Sequence, residues 1–405
     1  MRAYERLLKY VKIHTASEED RDTVPSTQRQ FDLARCLAEE LTGLGVQDVL
    51  VDDHSYVYGK IPAAPGYEKV PCIGFIAHLD TIPDFPGDHV NPQLITAYDG
   101  GEIPLGNSGR VLRPVDFPHL SGLKGHDLIV TDGTTVLGAD DKAGVAEIVT
   151  MAERLLTQDI PHGPVAVCFC PDEEIGHGAA LLDLERFGAV LGYTVDGDEP
   201  GWIEYENFNA ASAKVQISGF NVHPGSAKDT MINASLVAME FNQMLPAGDT
   251  PRQTQGYEGF FHLLEMNGDV EKASLQYIIR DHDAGAFAAR KQCMLHICDL
   301  LNARYGEGTV TVTLKDQYRN MKEIIDVHPE AVEKAMAAMR ACGLDPQPKP
   351  IRGGTDGAQL SFRGLPCPNL PTGGYAFHGP YEHASVQQMD LCTDVLCRIV
   401  QEFCA

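Results

Sequence analysis

The segment Pro71-Cys-Ile-Gly-Phe-Ile-Ala-His-Leu-Asp80 combines a fold signal with a chemical one. Its first seven residues form a short apolar run, which is typical of a buried parallel strand, and His78 and Asp80 follow that run directly. Two further runs, Val165-Ala-Val-Cys-Phe-Cys170 and Gly192-Tyr-Thr-Val195, have the same apolar character, and a helical pattern separates them from the first. This alternation predicts an α/β domain whose mixed, mostly parallel sheet is flanked by helices.

The middle of the chain follows a different pattern. From about residue 210, strand residues alternate between apolar and polar, as in Ser212-Ala-Lys-Val-Gln-Ile-Ser218. Such alternation is typical of an α+β domain with a half-exposed sheet. Near residue 321 the chain returns to helix, turn and strand. We therefore predict a split catalytic domain formed by residues 1–209 and 321–405, with a smaller lid domain inserted at residues 210–320.

Composition restricts the partners and the compartment. The 405 residues include 57 acidic and 32 basic side chains, which give a formal net charge of −25. Such a surface repels polyanions, so nucleic acid and anionic membranes are excluded as partners. The sequence shows no secretory signal and no apolar run near the roughly 18 residues of a membrane span. The 11 cysteines are scattered and lack a C-x-x-C pair, so we predict no disulfide framework and a cytoplasmic location.

Histidine and carboxylate side chains follow the predicted strands or open the next helix. They are His78, Asp80, Asp140, Asp141, Glu173, Glu174, Asp196 and His378. Because ligands of open α/β sheets bind at the carboxyl ends of the strands, we expect these side chains to meet there. Imidazoles and carboxylates without cysteine favour Zn²⁺ or a similar divalent ion.

Each motif alone has a simpler interpretation. His78-Leu-Asp80 also fits a surface turn, Glu173-Glu174 a solvated pair, and Asp140-Asp141 the N-cap of a helix. Their combination favours a metal site. Of two adjacent glutamates, one can bind metal while the other acts as a general base on water. Residues two apart on an extended chain point the same way, so Asp80 can orient His78. One carboxylate bridging two ions about 3.5–4 Å apart would form a co-catalytic pair.

Long motifs in this chain resemble the M20 family of zinc metallopeptidases. They are His78-Leu-Asp-Thr81, Thr131-Asp-Gly-Thr-Thr-Val-Leu-Gly-Ala-Asp-Asp-Lys-Ala-Gly-Val-Ala-Glu147, Pro171-Asp-Glu-Glu174, Tyr193-Thr-Val-Asp-Gly197, Asn221-Val-His-Pro-Gly225, Ile351-Arg-Gly-Gly-Thr-Asp-Gly-Ala-Gln-Leu360 and His378-Gly379. The resemblance spans nearly the whole chain and is strongest to the family's tripeptide aminopeptidases. It implies an enzyme that hydrolyses the N-terminal peptide bond of tripeptides with two Zn²⁺ ions per subunit, for which Co²⁺ or Mn²⁺ can substitute.

The resemblance also implies a role for each site residue. It gives five metal ligands, namely His78 and Asp196 on one zinc, Glu174 and His378 on the other, and Asp140 between them, with a cis peptide to Asp141. Asp80 would orient His78. Glu173 would be the general base on the water that bridges the ions, and would pass the proton to the leaving amine. A second histidine often follows the ligand histidine closely in such enzymes; here Tyr381 takes that place and His383 comes two residues later.

The remaining implied site residues would bind the peptide. His223 would polarise the scissile carbonyl, Arg280 would bind the C-terminal carboxylate, and Arg352 and Gly354 would line the substrate site. On sequence alone, His223 also fits a turn, Arg280 a surface ion pair with a nearby aspartate, and the glycine-rich stretch a flexible turn. The resemblance implies that the lid can form a homodimer. Alternatives are a dipeptidase, an amidohydrolase of N-acyl amino acids, or a non-catalytic relative that only binds peptides.

Overall fold

The structure, a computed structural model, describes residues 1–404 and divides into two compact units. The first comprises Met1–Tyr205, Met321–Lys349 and the chain from Thr355 onward, and the second comprises Glu206–Asn320 and Pro350–Gly354. The short return segment Pro350–Gly354 therefore groups with the inserted domain, whereas the sequence-based boundaries place it in the first. The reason is local, because Arg352 donates hydrogen bonds to carbonyl oxygens of residues 256 and 258.

Eighteen strands are formed within the described residues. They are β1 (Gln47–Val51), β2 (Val57–Ile61), β3 (Ile73–His78), β4 (Gln93–Ile95), β5 (Ile103–Pro104), β6 (Val111–Leu112), β7 (Leu128–Val130), β8 (Val165–Cys170), β9 (Leu191–Gly197), β10 (Trp202–Asn207), β11 (Asn209–Ser218), β12 (Phe260–Gly268), β13 (Lys272–Asp281), β14 (Val310–Tyr318), β15 (Gln347–Ile351), β16 (Asn369–Pro371), β17 (Gly374–Tyr375) and β18 (His383–Ser385).

The helices of the same residues are α1 (Ala3–Tyr10), α2 (Gln30–Leu44), α3 (Ala139–Thr157), α4 (Leu184–Phe187), α5 (Ala234–Met244), α6 (Ala284–Tyr305), α7 (Lys322–Ile325), α8 (Glu330–Ala341), α9 (Asp356–Phe362) and α10 (Val386–Glu402). In residues 1–404, we find no helix with the length and apolar character that a bilayer crossing needs.

An eight-stranded mixed sheet organises the first unit, in the order β1-β2-β8-β3-β9-β16-β10-β15. The four central strands β8, β3, β9 and β16 run parallel, while β1 and β2 on one side and β10 on the other pair antiparallel. Every residue of β3 and β8 is buried, as expected for parallel strands covered on both faces. The predicted fold class, an α/β domain with a mixed sheet flanked by helices, is confirmed.

Helix α3 packs directly on the sheet because it lacks a side chain at one position. A Cβ atom at Gly144 would lie 1.8 Å from the backbone oxygen of Val195, which belongs to β9. Only glycine therefore lets the first turns of α3 approach the carboxyl end of this central strand. The close approach brings the start of α3 next to the sheet edge at which β9 ends.

The second unit is an α+β domain with its own core. Its sheet has the order β12-β13-β11-β14, and all three pairings are antiparallel. From Ala213 onward, buried residues of β11 alternate with exposed ones, which matches the half-exposed sheet predicted from the sequence. Apolar side chains of α5 and α6 join the buried face of this sheet in a separate hydrophobic cluster.

A substitution of Gly144 tests this packing. We expect Gly144→Ala to lower the free energy of unfolding by about 1–3 kcal/mol, because the added methyl group meets backbone and the helix must move away. Gly43→Ala is the matched control, since Gly43 lies in α2 and a Cβ there has no neighbour within 4 Å. That variant should gain about 0.5–1 kcal/mol from helix propensity. Urea unfolding measures both, and equal effects would contradict the close approach of α3.

Candidate metal centre

Three neighbouring parallel strands bring most of the predicted ligands to one edge. His78 is the last residue of β3 and pairs with Cys170, the last residue of β8. Glu173 and Glu174 begin a 3₁₀ turn directly after β8, and Asp196 is the last residue but one of β9. Because β8, β3 and β9 run in the same direction, their carboxyl ends present these side chains together.

The start of α3 supplies a fourth carboxylate, that of Asp140, from an irregular turn. Gly138 has a left-handed backbone conformation, with φ of 79°, and Asp140 and Asp141 depart from helical angles and are joined by a cis peptide bond. The Asp141 carboxylate accepts hydrogen bonds from the backbone N–H groups of Gly144 at 3.2 Å and His78 at 3.1 Å. Of the two aspartates that the sequence allows as a helix cap, Asp141 thus accepts an N–H group of the first turn, which leaves the side chain of Asp140 free of that task.

Asp140 lies between two histidines. Its Oδ1 atom is 2.9 Å from Nε2 of His78, and its Oδ2 atom is 3.0 Å from Nε2 of His378. On the first side Asp196 Oδ1 lies 3.5 Å from the same His78 nitrogen, and on the second side Glu174 Oε2 lies 3.1 Å from the His378 nitrogen. The five side chains thus form two groups that share one carboxylate, each group having one imidazole and one further carboxylate.

Asp80 connects the first group to the glutamate pair. His78 Nδ1 donates to the backbone oxygen of Asp80 at 3.0 Å and lies 3.4 Å from its Oδ1 atom. The Asp80 carboxylate, which is fully buried, accepts the backbone N–H groups of Glu173 at 3.0 Å and Glu174 at 3.3 Å. A carbonyl oxygen can only accept, so Nδ1 carries a proton, and Nε2 is the His78 atom that faces the carboxylates of the shared centre.

The electrostatics of the cluster are those of crowded negative charge. Hydrogen bonds to Asp140 and Glu174 raise the pKa of His378 to about 11. Burial raises the pKa of Asp196 to about 7, and burial together with the charge of Asp196 raises the pKa of Glu173 well above its usual value. Burial alone would also raise the pKa of Asp140, but hydrogen bonds from His378 and His78 hold it below its usual value.

The donor set fits divalent metal. Ligand atoms of His78, Asp140 and Glu174 lie within 4.8 Å of one another, as do those of a second group that joins His78 with Asp196 and Asp141. The field that favours protons on both imidazoles would equally attract divalent cations. Imidazole and carboxylate ligands of this kind suit Zn²⁺, and also Co²⁺ or Mn²⁺.

The segment after His378 holds a residue that the sequence analysis did not select. Glu382 is buried, and its carboxylate accepts three backbone N–H groups from the turn around Asp140. The only sequence signal was its place four residues after His378. The nearby His383 is no ligand here, because its Nε2 atom lies 2.9 Å from Nε2 of His119 and its Nδ1 faces a backbone oxygen.

The four residues predicted to bind peptide belong to the second unit. The exposed side chain of His223 caps a 3₁₀ turn, where Nδ1 accepts the backbone N–H of Gly225 at 3.1 Å, so a turn role is present. Arg280 is partly buried, donates to two backbone oxygens and lies 5.2 Å from the ring centre of Tyr318. A Cβ on Gly354 would come within 3.0 Å of the same ring. Arg280 and Gly354 thus share one aromatic neighbour.

Arg352 already has partners within its unit. Its Nη1 atom donates to the backbone oxygens of Gly256 at 2.7 Å and Glu258 at 2.9 Å, and Nη2 donates to Thr254 at 3.0 Å. Its guanidinium also lies over the ring of Phe208. These contacts anchor the loop that contains Gly256 and Glu258, so the structure gives Arg352 a task other than the predicted substrate contact.

The chain is similar over almost its whole length to proteins named Peptidase T. It is 54% identical over 401 residues to Peptidase T of Clostridium perfringens (strain SM101 / Type A), covering 99% of this chain and 98% of that protein. It is 51% identical over 401 residues to Peptidase T of Geobacillus kaustophilus (strain HTA426), covering 98% and 97%.

Solved structures share the fold. The aminopeptidase PepT of Bacillus cereus ATCC 10987 superposes with a TM-score of 0.80 at 24% identity, covering 100% of this chain and 98% of that one. A dinuclear metal-binding peptidase of the M20 family from Bacillus subtilis superposes with a TM-score of 0.63 at 15% identity, covering 98% of both chains.

The family model described as peptidase family M20/M25/M40 matches residues 136–402, which begin just before the Asp140 turn and extend past His378. This match covers well over half of the chain, and the full-length identities above agree with it. The prediction of a peptidase from the sequence motifs is therefore confirmed, and the chain belongs to peptidase family M20/M25/M40.

Proposed function

We propose that this protein is a di-zinc aminopeptidase that removes the N-terminal residue of tripeptides. The observation that carries the proposal is the position of Asp140, whose two carboxylate oxygens each face the Nε2 atom of a different histidine. A bridging carboxylate between two ligand groups is the arrangement that a co-catalytic metal pair requires. The high identity to proteins named Peptidase T supports the peptide substrate.

The proposed metal ligands are the five side chains of the cluster. His78 and Asp196 would hold one ion, Glu174 and His378 would hold the other, and Asp140 would bridge the two. When bound, such ions polarise a substrate carbonyl and acidify a water molecule. His378 is the most exposed of the five, with a side-chain exposure of 49%, so the second group is the one open to a ligand from solvent.

Glu173 is the proposed general base. Its backbone is held by Asp80, and its raised pKa reflects a buried carboxylate that gains stability when it receives a proton. It would take the proton of the attacking water as the carbon–oxygen bond forms. It would then deliver that proton to the peptide nitrogen as the carbon–nitrogen bond breaks. Asp80 orients His78 in this scheme and does not touch the substrate.

The second unit is the proposed lid and substrate-binding domain. Because His223 Nδ1 accepts a hydrogen bond, its neutral ring carries the proton on Nε2, where it can donate to a carbonyl oxygen. Arg280 is the proposed partner of the substrate carboxylate, since a guanidinium matches the geometry of that group. Gly354 would allow a close approach of peptide to backbone. Arg352 is a further proposed lining residue of the substrate site, and its hydrogen bonds to the backbone oxygens of Gly256 and Glu258 would fix its position there.

Two further features belong to the proposal. All 11 cysteines are free, which agrees with a reducing compartment such as the cytoplasm. On the second unit, α5 exposes Leu236 and Met239, and the edge strand β12 exposes Leu264 and Met266, which supports a homodimer through this domain. Sedimentation of Leu264→Glu against the unaltered protein would test this, and an unchanged mass would remove the dimer from the proposal.

Peptide hydrolysis by metal-free and reconstituted protein tests the function. We expect chelation to abolish cleavage of free tripeptides and Zn²⁺, Co²⁺ or Mn²⁺ to restore it, because the ligand set alone cannot polarise the substrate. Dipeptides, tetrapeptides and N-acetylated substrates should be poorer. Preference for dipeptides or for acetylated amino acids would favour a dipeptidase or an amidohydrolase instead. Full activity without metal would contradict the proposal, and peptide binding without turnover would indicate a non-catalytic relative.

The same panel includes C-terminal amides to test Arg280. A charge-assisted hydrogen bond is worth about 1.5–3 kcal/mol, so Arg280→Ala should weaken use of free-acid tripeptides about ten- to a hundredfold more than use of their amides. Arg290→Ala is the matched control, since Arg290 pairs with Asp249 and Asp281 in the same unit. Equal losses on both substrates would assign Arg280 to the fold of the second unit.

Substitution of the adjacent glutamates tests their division of roles. We expect Glu173→Gln to retain both metal ions and lose about 10²–10⁴-fold in turnover, because it removes a positioned acid–base group. Glu174→Gln should instead bind less metal, since a ligand oxygen beside His378 is lost. Turnover rates and metal analysis of the purified variants provide the comparison. The reverse pattern would exchange the two assignments.

A further inference from the structure

One buried carboxylate connects the two segments that contain Asp140 and His378. Glu382 has 1% of its surface exposed. Its Oε2 atom accepts the backbone N–H groups of Leu137 at 2.6 Å and Gly138 at 2.8 Å, and its Oε1 atom accepts the backbone N–H of Asp140 at 3.0 Å. These three donors surround the turn from which the Asp140 side chain projects.

The other end of the connection is the segment that follows His378. The backbone N–H of Glu382 donates to the backbone oxygen of Gly379 at 3.2 Å, which closes a turn directly after the histidine. His378 itself has positive φ, 65°, which is unusual for a residue with a side chain. The position of the His378 ring therefore depends on the turn that Glu382 closes. The position of the Glu382 carboxylate depends on its hydrogen bonds to the turn that contains Asp140.

The contacts of Glu382 exclude two other roles. Both oxygens accept hydrogen bonds from backbone N–H groups. Neither oxygen therefore faces the side chains of His78, Asp140 or His378, as the oxygen of a metal ligand would. Because Glu382 is buried, its carboxylate is also closed to substrate from solvent. Successive N–H groups next to a left-handed residue such as Gly138 form a concave anion site, which the carboxylate fills from within the chain.

We infer that Glu382 is a positioning residue that sets the spacing between Asp140 and His378, so that Oδ2 of the first stays about 3.0 Å from Nε2 of the second. The inference rests on the proposed function, because these two side chains belong to the proposed second metal site. Ionised carboxylates form strong hydrogen bonds to backbone N–H groups, and an amide in the same place can satisfy only part of them. None of the three N–H groups that Glu382 accepts belongs to His78 or Asp196, so the first group should be affected only through the shared Asp140 and should feel the loss of Glu382 less.

Glu382→Gln is the central variant, with Glu382→Asp as its conservative partner. Calorimetric titration of the metal-free protein with Zn²⁺ should show one of two equivalents weakened by about 10–100-fold in Glu382→Gln, as for other residues that support ligands. Glu382→Asp keeps the charge and should lose less. Amide hydrogen exchange of the metal-free protein should increase within residues 137–140, because the single amide oxygen of glutamine leaves at least one of the three N–H groups without an acceptor.

Glu40→Gln is the matched control. The Glu40 carboxylate also accepts three donors, from Arg6, Lys9 and Tyr10, and lies on α2. This variant should lose stability without a change in zinc affinity or in exchange at residues 137–140. A purely structural role for Glu382 would give both variants the same behaviour.

The outcomes separate the two proposals. Wild-type zinc affinity at both sites in Glu382→Gln, or unchanged exchange at residues 137–140, would overturn the inference and leave the metallopeptidase proposal intact. If Glu382→Gln does not fold, the same two measurements on Glu382→Asp decide in the same way. Wild-type protein that binds no zinc and still cleaves tripeptides would overturn both.

Discussion

The concentration of negative charge at one edge of a sheet is the constraint on which the rest of the structure depends. Asp140, Glu173, Glu174 and Asp196 are brought there by two parallel strands, β8 and β9, and by the start of α3. Carboxylates at such short distances from one another repel when they are ionised, and burial strengthens this repulsion. Burial raises the pKa values of Glu173 and Asp196, and the charges of neighbouring carboxylates raise them further. Two divalent ions in the same place would relieve it and allow all four to ionise.

A second set of carboxylates holds the first in position through the backbone. Asp80, Asp141 and Glu382 each direct both oxygens at backbone N–H groups of segments that contain proposed ligands. The distinction between ligands and supports is therefore visible in what each oxygen faces. The oxygens of the proposed ligands face Nε2 atoms of histidines, whereas the supporting oxygens accept backbone N–H groups. Gly144 completes the arrangement, since it lets α3 reach the end of β9.

The sequence predicted features that depend on neighbouring residues and missed contacts between residues that are far apart in the chain. The strands before His78, Glu173 and Asp196 were predictable because buried parallel strands are short apolar runs. Glu382 was not, because its acceptor role depends on N–H groups more than 240 residues earlier. The motif that contains Arg352 likewise does not reveal that its guanidinium donates to the carbonyl oxygens of residues 256 and 258. The predicted boundaries of the inserted domain also leave out Pro350–Gly354, because the contacts that join this segment to the second unit are between residues far apart in the chain.

Anomalous diffraction from crystals of the zinc-loaded protein tests the central claim most directly. The account predicts two zinc peaks about 3.5–4 Å apart. One should lie beside His78 and Asp196, the other beside Glu174 and His378, and each should be about 2.0–2.2 Å from a different oxygen of Asp140. A single peak, or two peaks that do not share Asp140, would contradict the claim that this carboxylate bridges a metal pair.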